Sequence, residues 1–348
     1  MGDPLVECVP NFSEGRNITI IDAITSSIES VEGVTILDVD MGYDFNRTVV
    51  TMIGTPEPIL EAAIVCTTIA TKLIDMRNHV GEHARMGAVD VVPFIPISGV
   101  SMEECVDLSQ RYAQTVSDLL SLPVYLYGES AISEHRVRLP DIRKGEYEGL
   151  REKIITEEWE PDFGPAEFKP KMGATASGAR NILIAYNVNL DTDDKSKANS
   201  IAAKIRTSGS LLKDKNGEKI FGIDGKPLRS PGKFKSLQAA GWMYDETTAQ
   251  VSMNLLDHNV TGLDDVTEAI RYESAELGLN AVAGELVGLV PLQAMLSAGR
   301  YYHENPKSAD VMTLVKSAIS GLMLDQLGEF DPESSIIESA IVGGGYNE

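Results

Sequence analysis

The chain has 348 residues, which suggests about two domains of ~150 residues each, and its 43% hydrophobic content is enough to give both a core. A formal net charge of −22 and only 6% aromatics argue against binding nucleic acid or an anionic membrane, both of which need basic surfaces. No secretory pattern opens the chain and no apolar run reaches the ~18 residues needed to cross a bilayer; Cys8, Cys66 and Cys105 lack metal-ligand spacing, so the expectation is a cytoplasmic protein with buried free thiols.

Leu5 to Pro10 reads as a short strand. Asn11, Ser13 and Asn17 offer N-caps for a helix over Ile18 to Ser30. The free N–H groups at that helix start suit a carboxylate or phosphate as well as they suit a plain cap. Val34 to Asp40 is a strand in which Asp38 and Asp40, separated by Val39, share one face. A turn over Met41 to Phe45 leads through Asn46 and Arg47 to a strand over Thr48 to Ile53. Thr55-Pro56-Glu57 starts a helix that runs to about Leu73, with Ile59, Leu60, Ala63, Ile64 and Ala70 on its apolar stripe. Next comes a polar stretch from Asp75 to Gly87, holding two of the five histidines, His79 and His83, among arginines and carboxylates. The apolar run Ala88 to Ile95 behind it predicts a buried strand. Ser101 and Glu104 form a capping box for a helix to about Leu120, and Pro123 to Tyr127 is a further strand. The order βαββαβ, then α and β, opens as a ferredoxin-like split arrangement.

Glu129 to Arg138, with His135, reads as helical, and Glu148 to Glu157 as a charged helix. Trp159 to Thr175 holds Pro161, Gly164, Pro165 and Pro170, and predicts an irregular loop between domains, packed through Trp159, Phe163 and Phe168. Such crevices are common ligand sites. Beyond it, Asn181 to Asn187 is a strand and Thr192 to Arg206 a helix. Ser210 to Ser230 is a polar, mobile insertion. Phe234 to Trp242 and Ala249 to Leu255 are strands, a helix runs from about Val260 to Glu276, and Asn280 to Leu289 is a strand containing Gly284 and Gly288. The second half thus repeats βαββαβ. The expected fold class is α/β (α+β), two ferredoxin-like subdomains with a ligand groove between them. The expected divisions are residues 1–178, 179–300 and a helical extension 301–348, with a helix over Ser308 to Leu322 and a flexible end at Val342 to Tyr346.

Three readings of the central histidines compete. His79-Val80-Gly81-Glu82-His83 matches H-x-x-E-H, which on a helix supplies two zinc ligands and a base in some peptidases, but Gly81 and Gly87 disfavour a helix. Both histidines could be structural. One could instead be a general acid/base, oriented by a carboxylate such as Asp38 or Asp40.

At these residues the sequence resembles the glutamate formimidoyltransferase (formiminotransferase) family. The resemblance is carried by Val6-Glu7-Cys8-Val9-Pro10-Asn11-Phe12-Ser13-Glu14-Gly15, Leu37-Asp38-Val39-Asp40, Asn46-Arg47-Thr48-Val49 and Ile74-Asp75-Met76-Arg77. It continues through Gly81-Glu82-His83, Arg85-Met86-Gly87-Ala88, Pro123 to Tyr127, Pro161-Asp162-Phe163-Gly164-Pro165, Gly173-Ala174-Thr175 and Val287 to Pro291. Ala84 stands where the family has proline, and Ala283-Gly284 where it tends to have Gly-Ser. The cyclodeaminase domain fused to the vertebrate version is absent from this sequence, so only the transfer reaction is implied.

The resemblance implies transfer of the formimino group from N-formimino-L-glutamate to N5 of tetrahydrofolate, a step of histidine degradation, by a cytoplasmic homodimer that needs no metal. It puts the catalytic histidine on His83 and its aspartate on Asp40. It puts the folate-binding segment on Gly164, Pro165, Ala166, Glu167, Phe168, Lys169, Pro170, Lys171, Met172 and Gly173. Arg16, Arg47, Arg77 and Arg85 are the candidates for holding glutamate carboxylates, since a guanidinium pairs with a carboxylate through two bonds. Alternatives within the family are a 5-formyltetrahydrofolate cyclo-ligase and a formylglutamate-dependent formyltransferase. Outside it stand a noncatalytic folate-binding protein and the zinc peptidase.

Overall fold

In the computed structural model, which describes residues 4–222 and 225–344, the chain forms two compact units, Met1–Asn181 and Ile182–Glu348. The first unit contains β1 (Leu5–Cys8), β2 (Asn11–Phe12), α1 (Ile18–Glu29), β3 (Val34–Gly42), β4 (Arg47–Gly54) and α2 (Pro56–Leu73). It continues with β5 (Val89–Ser98), α3 (Met102–Leu120), β6 (Val124–Gly128), α4 (Leu139–Arg143), α5 (Glu146–Lys153) and β7 (Thr175–Ala179). β1 and β2 act as one strand broken at Val9-Pro10, since both pair antiparallel with β4 on one side and β5 on the other. Pro10 has no N–H to give the ladder, which accounts for the break. With β3 on the far side of β4, the first four strands take the ferredoxin-like order. β7 and β6 extend it to a seven-stranded sheet, β7 running parallel to both β5 and β6.

Strand periodicity gives this sheet two different faces. Val6, Cys8, Val50, Met52, Val92 and Phe94 pack with α1, α2 and α3 in the main core. Each large side chain so buried contributes roughly 1.5–3 kcal/mol. The alternate residues point to the opposite face. There Val91, Tyr125, Tyr127 and Ala176 are covered by Ile142, Leu150 and Ile154 from the α4–α5 region. Glu7, Asn11, Asp38, Asp40 and Arg47 lie on that same face, among the strands β1 to β4.

The second unit contains β8 (Ile184–Leu190), α6 (Lys195–Ile205), β9 (Ser210–Leu211), β10 (Arg229–Ser230), β11 (Leu237–Met243) and β12 (Ala249–Leu255). It continues with α7 (Leu263–Ala275), β13 (Ala281–Val287), α8 (Leu292–Tyr302), α9 (Val311–Gly321), α10 (Pro332–Ser335) and α11 (Ile337–Gly344). Its four-stranded sheet has the order β11-β12-β8-β13, all antiparallel, so the expected ferredoxin-like repeat is present in both units.

Several local expectations are corrected. Glu129 to Arg138 is not a helix but a turn with one 3-10 turn, Glu134–Arg136. The charged helix begins at Glu146 and ends at Lys153. The Trp159 to Thr175 segment does not join the units: Phe163 bridges Val124 and Gly173 bridges Gly87, and the chain then enters the first sheet as β7. The strand expected at Asn181 begins instead at Ile184. The Ser210 to Ser230 insertion is closed by the β9–β10 ladder and by bridges Lys213 to Lys219 and Phe221 to Pro227. Of the end expected to be flexible, residues 342–344 belong to α11, and 345–346 lie outside the described residues.

Candidate active site

The connection from α2 to β5 is pinned loop, not helix. It opens with one 3-10 turn, Met76–Asn78, capped by Asp75 and anchored by buried Met76. Neither central histidine is on a helix, so the one-face geometry required by the zinc-peptidase string is missing. A Cβ on Gly81 would lie 2.2 Å from the Phe45 carbonyl oxygen, so this close approach requires glycine. Asn46 ties the neighbouring loops together: its Nδ2 donates to the Val80 carbonyl at 3.0 Å and its Oδ1 accepts from the Gly15 N–H at 3.0 Å. Ser13 Oγ donates to the Gly87 carbonyl at 2.7 Å.

The two histidines are in different states. His79 Nε2 lies 2.8 Å from the Asn46 carbonyl oxygen, which can only accept, so this nitrogen carries the proton. Its Nδ1 accepts from Arg85 Nε at 3.2 Å. Burial, foremost, pushes the His79 pKa down, and the ring is a neutral cross-link between loops. His83 Nδ1 is buried and has no partner. Burial first, then Arg47, Arg143, Arg85 and His79, push the His83 pKa down to about 3. At neutral pH His83 is therefore an uncharged imidazole.

Asp40 is exposed on β3, paired across the ladder with Val49. Among the described residues no hydrogen bond or ion pair joins it to His83. What the two share is Arg47, whose charge depresses His83 and is itself supported by Asp40.

The four predicted arginines separate clearly. Arg85 is buried and fully engaged, by Glu148 at 2.6 and 2.8 Å and by Glu146 at 2.9 Å. Arg77 is exposed and held by Asp75, with Nη2 to Oδ2 at 2.5 Å. Arg16 Nε donates to the Tyr43 carbonyl at 2.9 Å, its guanidinium 5.1 Å from the Tyr43 ring centroid. Arg47 has a buried Nε without a partner. The helix start that seemed able to take an anion is filled from within the chain: Glu14 accepts from the N–H groups of Arg16 and Asn17 at 2.8 and 2.9 Å, and Asn17 caps Thr19.

The Gly164 to Gly173 segment lies against the His83 loop. Ala88 N–H donates to the Met172 carbonyl at 2.8 Å and Met76 N–H to the Lys171 carbonyl at 3.0 Å. Gly173 has φ +70°, and a Cβ there would meet the Met86 carbonyl oxygen at 2.1 Å, so the two loops touch backbone to backbone. Phe168 is sandwiched, 5.4 Å from the Tyr147 ring and 4.8 Å from the Arg151 guanidinium. The remaining residues of the segment, Pro165, Ala166, Glu167, Lys169 and Pro170, are exposed or half-buried, Lys169 pairing with Glu167 at 2.8 Å. A cavity of about 470 Å³ beside these loops is lined by His79, Val80, Gly81, Arg85, Glu146 and Glu148. Its carboxylates, Glu146 and Glu148, are already bonded to Arg85.

Two residues were missed from the sequence. Asp90, 1% exposed, is the extra residue where β5 bulges against β2. It accepts from the Met86 N–H at 2.8 Å and from Arg143 Nη2. The signal was available: a single carboxylate inside the apolar run Ala88 to Ile95 needs a buried partner.

Comparison with known proteins bears on the family of the chain. Residues 5–180 match the N-terminal subdomain of the formiminotransferase domain, and residues 185–342 match the formiminotransferase domain. The chain is 46% identical to the formimidoyltransferase-cyclodeaminase of Rattus norvegicus over 98% of its own length but only 60% of that relative's. It is 40% identical to the glutamate formimidoyltransferase of Streptococcus pyogenes serotype M1, covering 86% of this chain and 93% of that one. It is 41% identical to that of Thermoplasma acidophilum, covering 86% and 92%.

Proposed function

Because the chain belongs to the formiminotransferase family, we propose that it transfers the formimino group from N-formimino-L-glutamate to N5 of tetrahydrofolate, as a one-carbon transferase of histidine breakdown. The observation that carries the site assignment is the unpartnered, uncharged imidazole of His83. That ring sits in the loop packed against the 164–173 segment, which we assign to folate.

His83 acts as the proton carrier. As the folate nitrogen bonds to the formimidoyl carbon, His83 takes the proton this nitrogen must lose. It then returns a proton to the glutamate nitrogen as the old C–N bond breaks, so that glutamate leaves as an amine. The imidazolium exists only between these steps, and we assign Asp40, the carboxylate on the same sheet face as Arg47, to offset its charge. Arg47 and Arg16 hold donor carboxylates. Arg77 and Arg85, which have carboxylate partners already, would have to exchange them for substrate. Closing the loops around both substrates supplies the orientation that a single base cannot. No step calls for a metal, and we place the enzyme in the cytoplasm as a homodimer.

The test is product formation from tetrahydrofolate with formiminoglutamate, run beside formylglutamate and beside 5-formyltetrahydrofolate with ATP. Wild type should use formiminoglutamate without ATP, and His83→Ala should lose about 10²–10⁴-fold in rate. Undiminished turnover by His83→Ala would rule out the assigned base, and ATP-dependent use of 5-formyltetrahydrofolate alone would make the protein a cyclo-ligase.

A further inference from the structure

Three buried nitrogens without partners belong to groups that act on one another's charge: Arg47 Nε, Arg143 Nε and His83 Nδ1. They are half of the unpartnered buried side-chain N and O atoms among the described residues, so this is a concentrated deficit and not scattered noise. Folding removed these groups from water without giving them acceptors, which is unfavourable unless something else completes them.

The local charge is unbalanced in the same sense. Arg143 ends the five-residue helix α4, its side chain 16% exposed, and faces Asp90. Asp90 carries one negative charge and so balances one guanidinium only; its other oxygen accepts the Met86 N–H. Arg47 has no ion-pair partner among the described residues; Asp40 and Asp90 act on it through field alone. Two guanidinium groups acting on each other beside one carboxylate suit a further anion, which would accept from their unpartnered N–H groups.

We propose that Arg143, together with Arg47, holds a carboxylate of the formimino donor beside His83. This rests on the transferase reading given above. Both substrates carry glutamate carboxylates, but the donor is the smaller molecule, and its amidine must lie next to the same imidazole. The assignment gives the arginines a second effect. They weaken His83 as a base while the site is empty, and a bound carboxylate offsets that field, so the base strengthens when the donor arrives. The other groups facing His83 are Arg85, already neutralised by Glu146 and Glu148, and His79, held neutral, so neither would cancel this change.

Steady-state kinetics with each substrate varied separately test the proposal. Arg143→Gln should raise KM for formiminoglutamate roughly 10- to 100-fold, the loss expected for one charge-assisted hydrogen bond. KM for tetrahydrofolate should stay within about twofold of wild type. Arg143→Lys, which keeps the charge, should recover part of the loss. Because Arg143→Gln strands the Asp90 carboxylate, the double variant Arg143→Gln/Asp90→Asn is the folding control: it should regain thermal stability without regaining donor KM. Restoration of donor KM in the double variant would make Arg143 a structural residue and overturn the proposal. So would a folded Arg143→Gln with unchanged donor KM, or a KM rise confined to tetrahydrofolate. A wild type that turns over no formiminoglutamate removes the transferase reading itself, a result distinguishable from all of these.

Discussion

The two units share a chain path but not a chemistry. In each, βαββαβ makes an antiparallel ladder with helices packed on one face, while the other carries polar side chains, in the first unit beside the apolar patch that α4 and α5 cover. On the first unit that other face carries Glu7, Asp40 and Arg47, with His83 supplied by the α2–β5 loop and Arg143 by the end of α4. On the second it carries amides: Gln250 Nε2 donates to Asn189 Oδ1 at 3.0 Å, and Asn187 Nδ2 donates to Glu285 Oε2 at 2.9 Å. The amides are paired with one another or with Glu285, whereas the arginines and imidazole of the first unit are left incomplete. The same ladder thus carries two different sets of side chains, and it is the side chains, not the ladder, that distinguish the units.

The sharpest way to break this contrast is to ask whether the first unit also relies more on buried charge for its stability. Arg136 and Asp162 form an ion pair at 2.5 Å with side chains only 7% and 2% exposed. Asp162 also accepts the Leu126 N–H at 2.7 Å, and Arg136 donates to the carbonyls of Glu158 and Glu160. Asp162→Ala leaves a buried guanidinium uncompensated and should cost about 3–5 kcal/mol in denaturant unfolding. The matching change in the second unit, Glu273→Ala, breaks the more exposed Lys204 pair and should cost about 0–1 kcal/mol. Equal losses would mean that the units do not differ in this respect.

A smaller effect separates two glycines of similar backbone conformation. Gly173 has φ +70° with the Met86 carbonyl oxygen and Gly87 Cα in the path of any Cβ; Gly288 has φ +77° with nothing within 4 Å. Gly288→Ala should cost only the left-handed strain, about 1–2 kcal/mol. Gly173→Ala must also force the 164–173 loop away from the His83 loop, and should cost about 2–4 kcal/mol and reduce turnover. If both variants melt alike, the backbone contact between the loops is looser than the structure has it.

Much of this frame was legible in the sequence, because helices and strands announce themselves by period. The repeat of βαββαβ, the Ser101 capping box and the alternation around Asp38 and Asp40 are local signals, and the structure keeps them. β7 was not legible: Thr175 to Ala179 is five small residues without alternation, and it becomes a strand only because β5 and β6 offer it edges on both sides. Glu129 to Arg138 has helical composition, yet tertiary bonds such as Arg136 to Asp162 hold it as a turn. Within the site, the histidine loop stood out by residue type. Arg143 did not, because its meaning depends on a bulge at Asp90, 53 residues earlier in the chain.

The contrast between the faces can be sharpened at one atom pair. Glu7 is 5% exposed on β1, between Ile53 on β4 and Ile95 on β5, and makes no side-chain hydrogen bond among the described residues. Burial raises its pKa from 4.5 to about 7, with Arg180 offsetting part of the rise. A carboxyl group raised in the folded state keeps its proton where the unfolded chain has lost it. Stability therefore falls as pH climbs from about 4.5 to about 7 and stays lower above, by at most about 3 kcal/mol at 1.36 kcal/mol per pKa unit. Glu7→Gln keeps the shape and removes the ionisation, giving β1 the kind of side chain that β8 carries at Asn187. It should be more stable than wild type by about 1–3 kcal/mol at pH 8, with the gap closing towards pH 4. Urea unfolding at the two pH values decides it. A variant weaker than wild type at pH 8 would mean that the Glu7 carboxylate has a partner that stabilises its charge, and the first face would then be less incomplete than its unpaired groups suggest.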